Sequence, residues 1–91
     1  MKLPINEELK CICKEILDEN KTIKEWIEIE SCDMFQTENF CGGFEGTDER
    51  FSFSYYDGKK EYWFEFLLSD AIEILNGNIK FIECKDANNK K

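Results

Sequence analysis

The sequence predicts one small α+β domain, in which a four- or five-stranded, mostly antiparallel sheet carries an N-terminal helix and a short second helix. Three observations predict it: a length of 91 residues, a hydrophobic period that changes between about 3.6 and two along the chain, and an Asp-Gly pair between two aromatic runs. The predicted order is helix, strand, irregular strand, hairpin, helix, strand, which is typical of α+β domains. We expect residues 1–86 to form the domain and residues 87–91 to fray, since that tail has nothing to bury.

The first predicted element is an amphipathic helix over residues 6–20. Its apolar residues fall on one side of a helical wheel, and they are Leu9, Ile12, Cys13, Ile16 and Leu17. Asn6 is the expected N-cap. Cys11 points away from the apolar side, so Cys11 and Cys13 cannot bind one metal ion from this helix.

A strand is predicted for residues 25–32, because Ile27 and Ile29 alternate with Trp26, Glu28 and Glu30. This pattern places the isoleucines in the core and Trp26 on the exposed face with the carboxylates. Residues 33–49 follow as a long loop that contains an irregular strand or bulge at residues 40–45, where Gly42-Gly43 indicates a bend.

The clearest local signal is a hairpin over residues 51–66, with Asp57-Gly58 in a two-residue turn or in a four-residue loop with the same pairing. The predicted pairs are Tyr55 with Lys60, Ser54 with Glu61, Phe53 with Tyr62, Ser52 with Trp63, and Phe51 with Phe64. One face then collects Phe51, Phe53, Tyr55, Tyr62, Phe64 and Phe66. The other collects Ser52, Ser54, Tyr56, Lys59, Glu61, Trp63 and Glu65.

After the hairpin, the sequence predicts a short helix and a final strand. Ser69 or Asp70 is expected to cap the helix, which runs to Asn76 and ends at a left-handed Gly77. Residues 79–84 are apolar on both faces, which predicts a strand that is internal or covered.

The charge of the chain is concentrated in one segment. Residues 25–49 contain eight carboxylates and no Lys or Arg, whereas the rest of the chain is balanced, so this segment carries the whole net charge of −8. Such a field attracts basic surfaces and repels nucleic acid and anionic membranes. We therefore expect a basic protein partner and neither direct nucleic-acid binding nor membrane binding. The N-terminus has no apolar signal-peptide core, which favours a cytoplasmic location.

No pattern in the sequence indicates catalysis, a cofactor or a metal. Histidine is absent, which removes the commonest general base and zinc ligand. The acidic segment lacks the ligand spacing of a calcium loop, and the five cysteines contain no C-x-x-C pair. We interpret Cys13, Cys32 and Cys84 as small buried residues, and Cys11 and Cys41 as the more exposed thiols. The sequence predicts a protein that is not an enzyme.

The candidate site is a partner-binding surface made of carboxylates and exposed-face aromatics. Its predicted residues are Trp26, Glu28, Glu30, Asp33, Glu38, Glu45, Asp48, Glu49, Tyr56 and Trp63. Trp and Tyr are included because they are enriched at binding hot spots, although Trp63 could instead be buried under residues 33–48.

Three hypotheses follow from this surface. The first is a small inhibitor that binds a basic protein, such as a nuclease or another nucleic-acid-processing enzyme. In general character, though not by any motif, the chain is similar to toxin-immunity proteins and to phage-encoded anti-CRISPR and anti-defence proteins. We expect its own carboxylates, spaced on a strand and a loop, to stand in for backbone phosphates as a nucleic-acid mimic. The second is an intracellular adaptor or homodimeric interaction domain without inhibitory activity. The third is a small-ligand-binding module.

Overall fold

The structure, a computed structural model, describes residues 1–29 and 35–87. The helices of the described ranges are α1 (Glu7–Asp18), α2 (Ile23–Ile29) and α3 (Leu68–Leu75). The strands are β1 (Lys2–Pro4), β2 (Phe35–Gln36), β3 (Phe40–Glu45), β4 (Arg50–Tyr56), β5 (Glu61–Phe66), β6 (Phe81–Glu83) and β7 (Lys85–Asp86). The predicted tail lies outside the described residues except for Ala87.

The strands form two antiparallel sheets, which confirms the predicted α+β class. The larger sheet has the order β2-β3-β4-β5-β7, and β1 pairs with β6 in a two-stranded sheet. The core lies between one face of the larger sheet and the helices, with Phe51, Phe53 and Phe64 facing Leu9 and Ile12 of α1 in one cluster. This confirms the prediction that the hairpin phenylalanines are core residues.

Helix α1 has the predicted position and orientation. The backbone N–H of Leu9 donates to Oδ1 of Asn6 over 2.9 Å, so Asn6 is the N-cap. Cys13 is buried and Cys11 is exposed, as the helical period predicts.

The prediction of a strand over residues 25–32 is wrong, because the described part of this segment belongs to helix α2. Thr22 and Glu25 form a capping box: the N–H of Glu25 donates to Oγ1 of Thr22 over 3.2 Å, and the N–H of Thr22 donates to Oε1 of Glu25 over 2.9 Å. The burial pattern is inverted as a result. Trp26 is fully buried, whereas Ile27 and Ile29 are each 37% exposed.

Strand β3 is regular rather than irregular, and it pairs with β4 along all six residues from Phe40 to Glu45. Gly42 makes this pairing possible. A Cβ at Gly42 would lie 2.1 Å from the carbonyl oxygen of Ser52 and 2.8 Å from Cγ of Phe53. Gly42 therefore serves the close packing of two strands rather than a bend.

The hairpin has the predicted faces but not the predicted pairs. Phe53 pairs with Phe64 and Ser54 with Trp63, a shift of two residues that leaves each side chain on its predicted face. The loop has four residues because Oδ1 of Asp57 accepts the N–H groups of Lys59 and Lys60, over 2.9 and 2.8 Å. These bonds also lower the pKa of the Asp57 carboxyl, the bond from Lys60 most strongly.

Helix α3 begins at Leu68, one residue before the first of the predicted caps. The Asp70 carboxylate, inside the first turn, accepts the N–H of Leu67 over 2.9 Å. Gly77 has φ of +81° and ends the helix as predicted, with the N–H of Asn78 donating to the carbonyl of Glu73.

The predicted last strand is divided between the two sheets at Cys84. Before Cys84 the chain pairs with β1, which the sequence did not predict, and after it the chain pairs with β5. The N–H of Cys84 donates to the carbonyl of Met1 over 2.7 Å, and the Met1 ammonium donates to the carbonyl of Cys84 over 3.0 Å. Phe81 is 54% exposed, so the prediction that this strand is covered on both faces is wrong.

Candidate protein-binding groove

A groove of about 510 Å³ lies where helix α2, helix α3 and the β3–β4 turn meet. We call it the α2–α3 groove, and its lining residues are Ile23, Asp48, Glu49, Arg50, Leu67, Leu68, Ser69 and Ile72. Its walls are apolar, and its carboxylates come from the turn. Apolar clefts of this size with a few polar groups are typical of ligand-binding sites for small molecules.

The apolar wall comes mainly from helix α3, which is hydrophobic on two sides. Ala71 and Ile74 are buried in the core, Leu68 is half-buried against it, and Ile72 and Leu75 are exposed. Leu68, Ile72 and Leu75 recur at spacings of four and three, so they form one row on the helix surface. Ile72 is 46% exposed and Leu67, which precedes the helix, is 39% exposed. Contiguous exposed apolar residues of this kind often mark a site of interaction with another molecule.

The opposite wall depends on the burial of Trp26. Its ring lies 5.1 Å from that of Phe51 and 5.9 Å from that of Phe44, centroid to centroid, and this contact anchors α2 on the sheet. Ile23 is one turn earlier in the helix and lines the groove. The capping box of α2 lowers the pKa of Glu25, chiefly through the N–H of Thr22 and then through its hydroxyl.

The carboxylates of the groove belong to the four-residue turn 46–49 between β3 and β4. Glu45 pairs with Arg50 at the base of this turn, and Glu49 closes it with φ of +55°. This left-handed conformation is uncommon for a residue other than glycine. Asp48 and Glu49 are exposed, and neither forms an ion pair within the described part of the chain.

The structure separates the predicted partner-binding residues instead of joining them in one surface. Asp48 and Glu49 line the α2–α3 groove, and Glu45 is exposed at the end of β3 that leads into the same turn. Glu28 is exposed on α2. Glu30 and Asp33 lie outside the described residues.

Glu38 and Tyr56 line a second, smaller hollow of about 180 Å³, together with Glu61. The Glu8 carboxylate of α1 holds the loop beside this hollow, since it accepts the hydroxyl of Thr37 and the N–H of Asn39. This hollow and the turn 46–49 lie at opposite ends of β3, whose six residues span about 20 Å.

The two tryptophans differ in burial: Trp26 is fully buried and Trp63 is half-buried. The prediction that Trp26 is an exposed contact residue is wrong, because a helix, unlike the predicted strand, directs its side chain into the core. Within the described residues, Nε1 of Trp26 has no hydrogen-bond partner. Trp63 is half-buried on the sheet face opposite the helices, where Nζ of Lys85 lies 5.4 Å from its ring centroid.

Sequence analysis missed the apolar residues of the groove, Ile23, Leu67, Leu68 and Ile72. Two signals were present in the sequence. The Thr22-x-x-Glu25 pattern is that of a capping box and predicts a helix start, and the spacing of Leu68, Ile72 and Leu75 predicts a second apolar face on α3.

Two of the four cysteines in the described ranges, Cys13 and Cys84, are buried. Burial raises the pKa of Cys13 to about 12, and that of Cys84 to about 11. Cys41 is half-buried and Cys32 lies outside the described residues. In residues 1–29 and 35–87 no three His, Cys, Asp or Glu side chains come close enough to hold a metal ion. None of the helices there is long and apolar enough to cross a membrane.

Comparison of the chain with protein-family models, with curated proteins and with solved structures found no match.

Proposed function

We propose that this protein is a small protein-binding inhibitor that engages a basic surface of a nucleic-acid-processing enzyme. The observation that carries the proposal is the placement of Asp48 and Glu49 at an apolar groove, without a cation paired to either in the described part of the chain. Apolar contact supplies affinity, and the adjacent carboxylates select a basic partner.

The charge distribution supports a basic partner. Glu28, Glu45, Asp48 and Glu49 are all exposed. Charges separated by more than about 8 Å are largely screened at physiological ionic strength, so the local group rather than the net charge directs association. A surface of this type speeds encounter with a basic protein and makes the association rate fall with salt.

A nucleic-acid-processing enzyme is the proposed partner class because such enzymes carry basic surfaces that bind phosphates. Carboxylates displayed on an ordered strand and turn can occupy these surfaces in place of phosphates. Toxin-immunity proteins and anti-defence proteins of the anti-CRISPR type are the functional classes in which this form of inhibition would serve.

The test compares two variants of equal net charge. The first carries Glu28→Gln, Glu45→Gln and Asp48→Asn. The control carries Glu7→Gln, Glu15→Gln and Asp18→Asn, which are also exposed but lie outside the acidic segment. Both variants and the wild type are immobilised and exposed to a lysate of the source cells at low and high salt.

We expect the wild type and the control to capture the same basic protein at low salt, and the first variant to lose it. The captured protein should cleave, unwind or copy nucleic acid, and should lose that activity when about one equivalent of the wild type is added. Equal capture by all three proteins would refute the proposed mechanism. Capture of a partner without nucleic-acid activity would instead favour the adaptor hypothesis.

A further inference from the structure

We infer that the α2–α3 groove binds one basic amphipathic helix of the partner protein, with the apolar side of that helix against α3 and its Lys or Arg side chains beside Asp48 and Glu49. This inference rests on the proposed function and names the part of the partner that is recognised. It makes the groove, rather than the sheet face or the hollow at Glu38, the centre of the interface.

The apolar row of α3 fits a helical occupant. Leu68 and Ile72 line the groove, and the exposed Leu75 continues their row past the end of the groove, so the row spans two turns and about 10 Å of helix. A partner helix presents apolar residues at the same spacings of three, four and seven, and it can lay them in a groove between two helices. Ile23 on α2 supplies the second side of the groove.

The charges of the groove select a basic occupant. Asp48, Glu49 and Arg50 are its charged lining residues. Alternation along β4 puts Arg50 on the same face as Ser52, opposite Phe51, and Arg50 also lines a hollow with Trp63 and Glu65. Arg50 is thus shared between the groove and the outer face of the sheet, and with two carboxylates against one guanidinium the groove keeps a negative balance.

Other occupants fit less well. A second copy of the chain would bring two pairs of Asp48 and Glu49 side chains together, which costs energy by like-charge repulsion. An anionic membrane would be repelled by a net charge of −8. A neutral small molecule would leave both carboxylates without a counterpart. These occupants are outcomes that the experiment distinguishes.

The probe is a synthetic helix of about 14 residues, which is long enough to cover the two-turn row. It carries Leu at positions spaced by three and four, and Lys at the remaining positions. The matched probe has Glu in place of every Lys. Binding is followed by fluorescence anisotropy of the labelled probe, and its position is mapped by amide chemical shifts of the protein.

Four variants locate the binding. Ile72→Asn removes an exposed apolar side chain of the groove, and Leu67→Asn does the same at the N-cap of α3, where Asn is a favoured residue and the helix is not weakened. The variant with Asp48→Asn and Glu49→Asn removes the charges, and Asn tolerates the left-handed backbone at position 49. The apolar control is Phe81→Asn, which is more exposed than Ile72 and lies outside the groove.

We expect the Lys probe to bind the wild type and to shift amides of α2, α3 and the β3–β4 turn. Ile72→Asn and Leu67→Asn should each weaken binding by about tenfold or more, because each loses a buried apolar contact. The double carboxylate variant should weaken it several-fold and reduce its salt dependence. Phe81→Asn should bind within about twofold of the wild type, as a surface change remote from the interface does.

Several results would overturn the inference. They are equal binding of the Glu probe, no binding of the Lys probe, shifts confined to the sheet face, binding unchanged by Ile72→Asn, or a wild-type dimer that Ile72→Asn dissociates. The lysate experiment separates the two proposals. If Ile72→Asn still captures the basic partner while the variant with Glu28, Glu45 and Asp48 neutralised does not, the groove inference is wrong and the proposed function stands. If both still capture it, both are wrong.

Discussion

Replacing Gly42 by alanine should strongly destabilise the protein, because two strands approach each other too closely at this position for a side chain. The added Cβ would lie 2.1 Å from the carbonyl oxygen of Ser52 and 2.7 Å from Cα of Phe53. Both atoms are backbone, so no rotamer change relieves the overlap. Strands β3 and β4 would have to separate by about 1 Å to reach even the tightest contacts that Cβ atoms make.

The size of the effect follows from that separation. A hydrogen bond of about 2.9 Å that stretches by about 1 Å is no longer a hydrogen bond. We expect the loss of about two bonds between the strands at about 1 kcal/mol each, and strain of about 1 to 3 kcal/mol from overpacking. The total of about 3 to 5 kcal/mol is a large part of the stability of a domain of this size, and it corresponds to a fall in Tm of more than about 12 °C.

The matched control is Gly46→Ala in the β3–β4 turn. A Cβ at Gly46 would have its nearest contact at 4.0 Å, with the carbonyl oxygen of Ile27, and the backbone there is not left-handed. This change should alter stability by less than about 1 kcal/mol, in the stabilising direction if it acts through the unfolded chain. Urea unfolding, followed by tryptophan fluorescence and circular dichroism, measures both variants. If the free energy of unfolding of Gly42→Ala lay within about 1 kcal/mol of the wild-type value, the close approach of the two strands would not have the cost expected here.

Three further predictions concern the helix start, the hairpin loop and the thiols. Thr22→Ala should destabilise the protein by about 1 kcal/mol through loss of a helix cap. NMR titration should show a higher pKa for Glu25, because the hydrogen bond from the Thr22 hydroxyl is lost, and an unchanged Glu25 titration would contradict the capping box. Asp57 has a lowered pKa in the folded state, so it contributes stability above its unfolded pKa that is lost as pH falls through the folded pKa. In unfolding experiments below pH 3.8, the wild type should therefore lose stability more steeply than Asp57→Asn, and equal slopes would count against these hydrogen bonds. Iodoacetamide at about pH 8 should modify exposed Cys11 in the native protein and leave Cys13 intact, since burial raises the pKa of Cys13 to about 12; mass spectrometry that found equal labelling would contradict its burial.

The hairpin shows how far periodicity alone can predict structure. The faces of β4 and β5 were predicted correctly because a period of two survives any even shift in register. The pairs were not, because the loop length depends on two hydrogen bonds that the Asp57 carboxylate accepts from the backbone. Local side-chain capping of this kind is invisible to an apolar pattern.

In helix α2, by contrast, periodicity predicted the wrong type of secondary structure. The alternation of Ile27 and Ile29 with their neighbours covers too short a span to distinguish a strand from a helix. The capping box of Thr22 and Glu25 favours the helix. Because the segment is a helix instead of a strand, Trp26 is buried and the two isoleucines are partly exposed. The acidic part of the groove was within reach of sequence analysis, as Asp48 and Glu49 show. The apolar wall was not, because it exists only once α2 and α3 are placed around the same turn.

The pairing of β1 with β6 has a consequence for how the chain folds. The hydrogen bond from the Met1 ammonium to Cys84 joins groups 83 positions apart, whereas the β4–β5 hairpin closes over four residues. Closing the loop between the chain ends therefore costs more conformational entropy than closing the hairpin, and we expect the hairpin to form first. We expect the two-stranded sheet to assemble last and to open first, so its amides should exchange with solvent by partial opening while those of the hairpin require global unfolding.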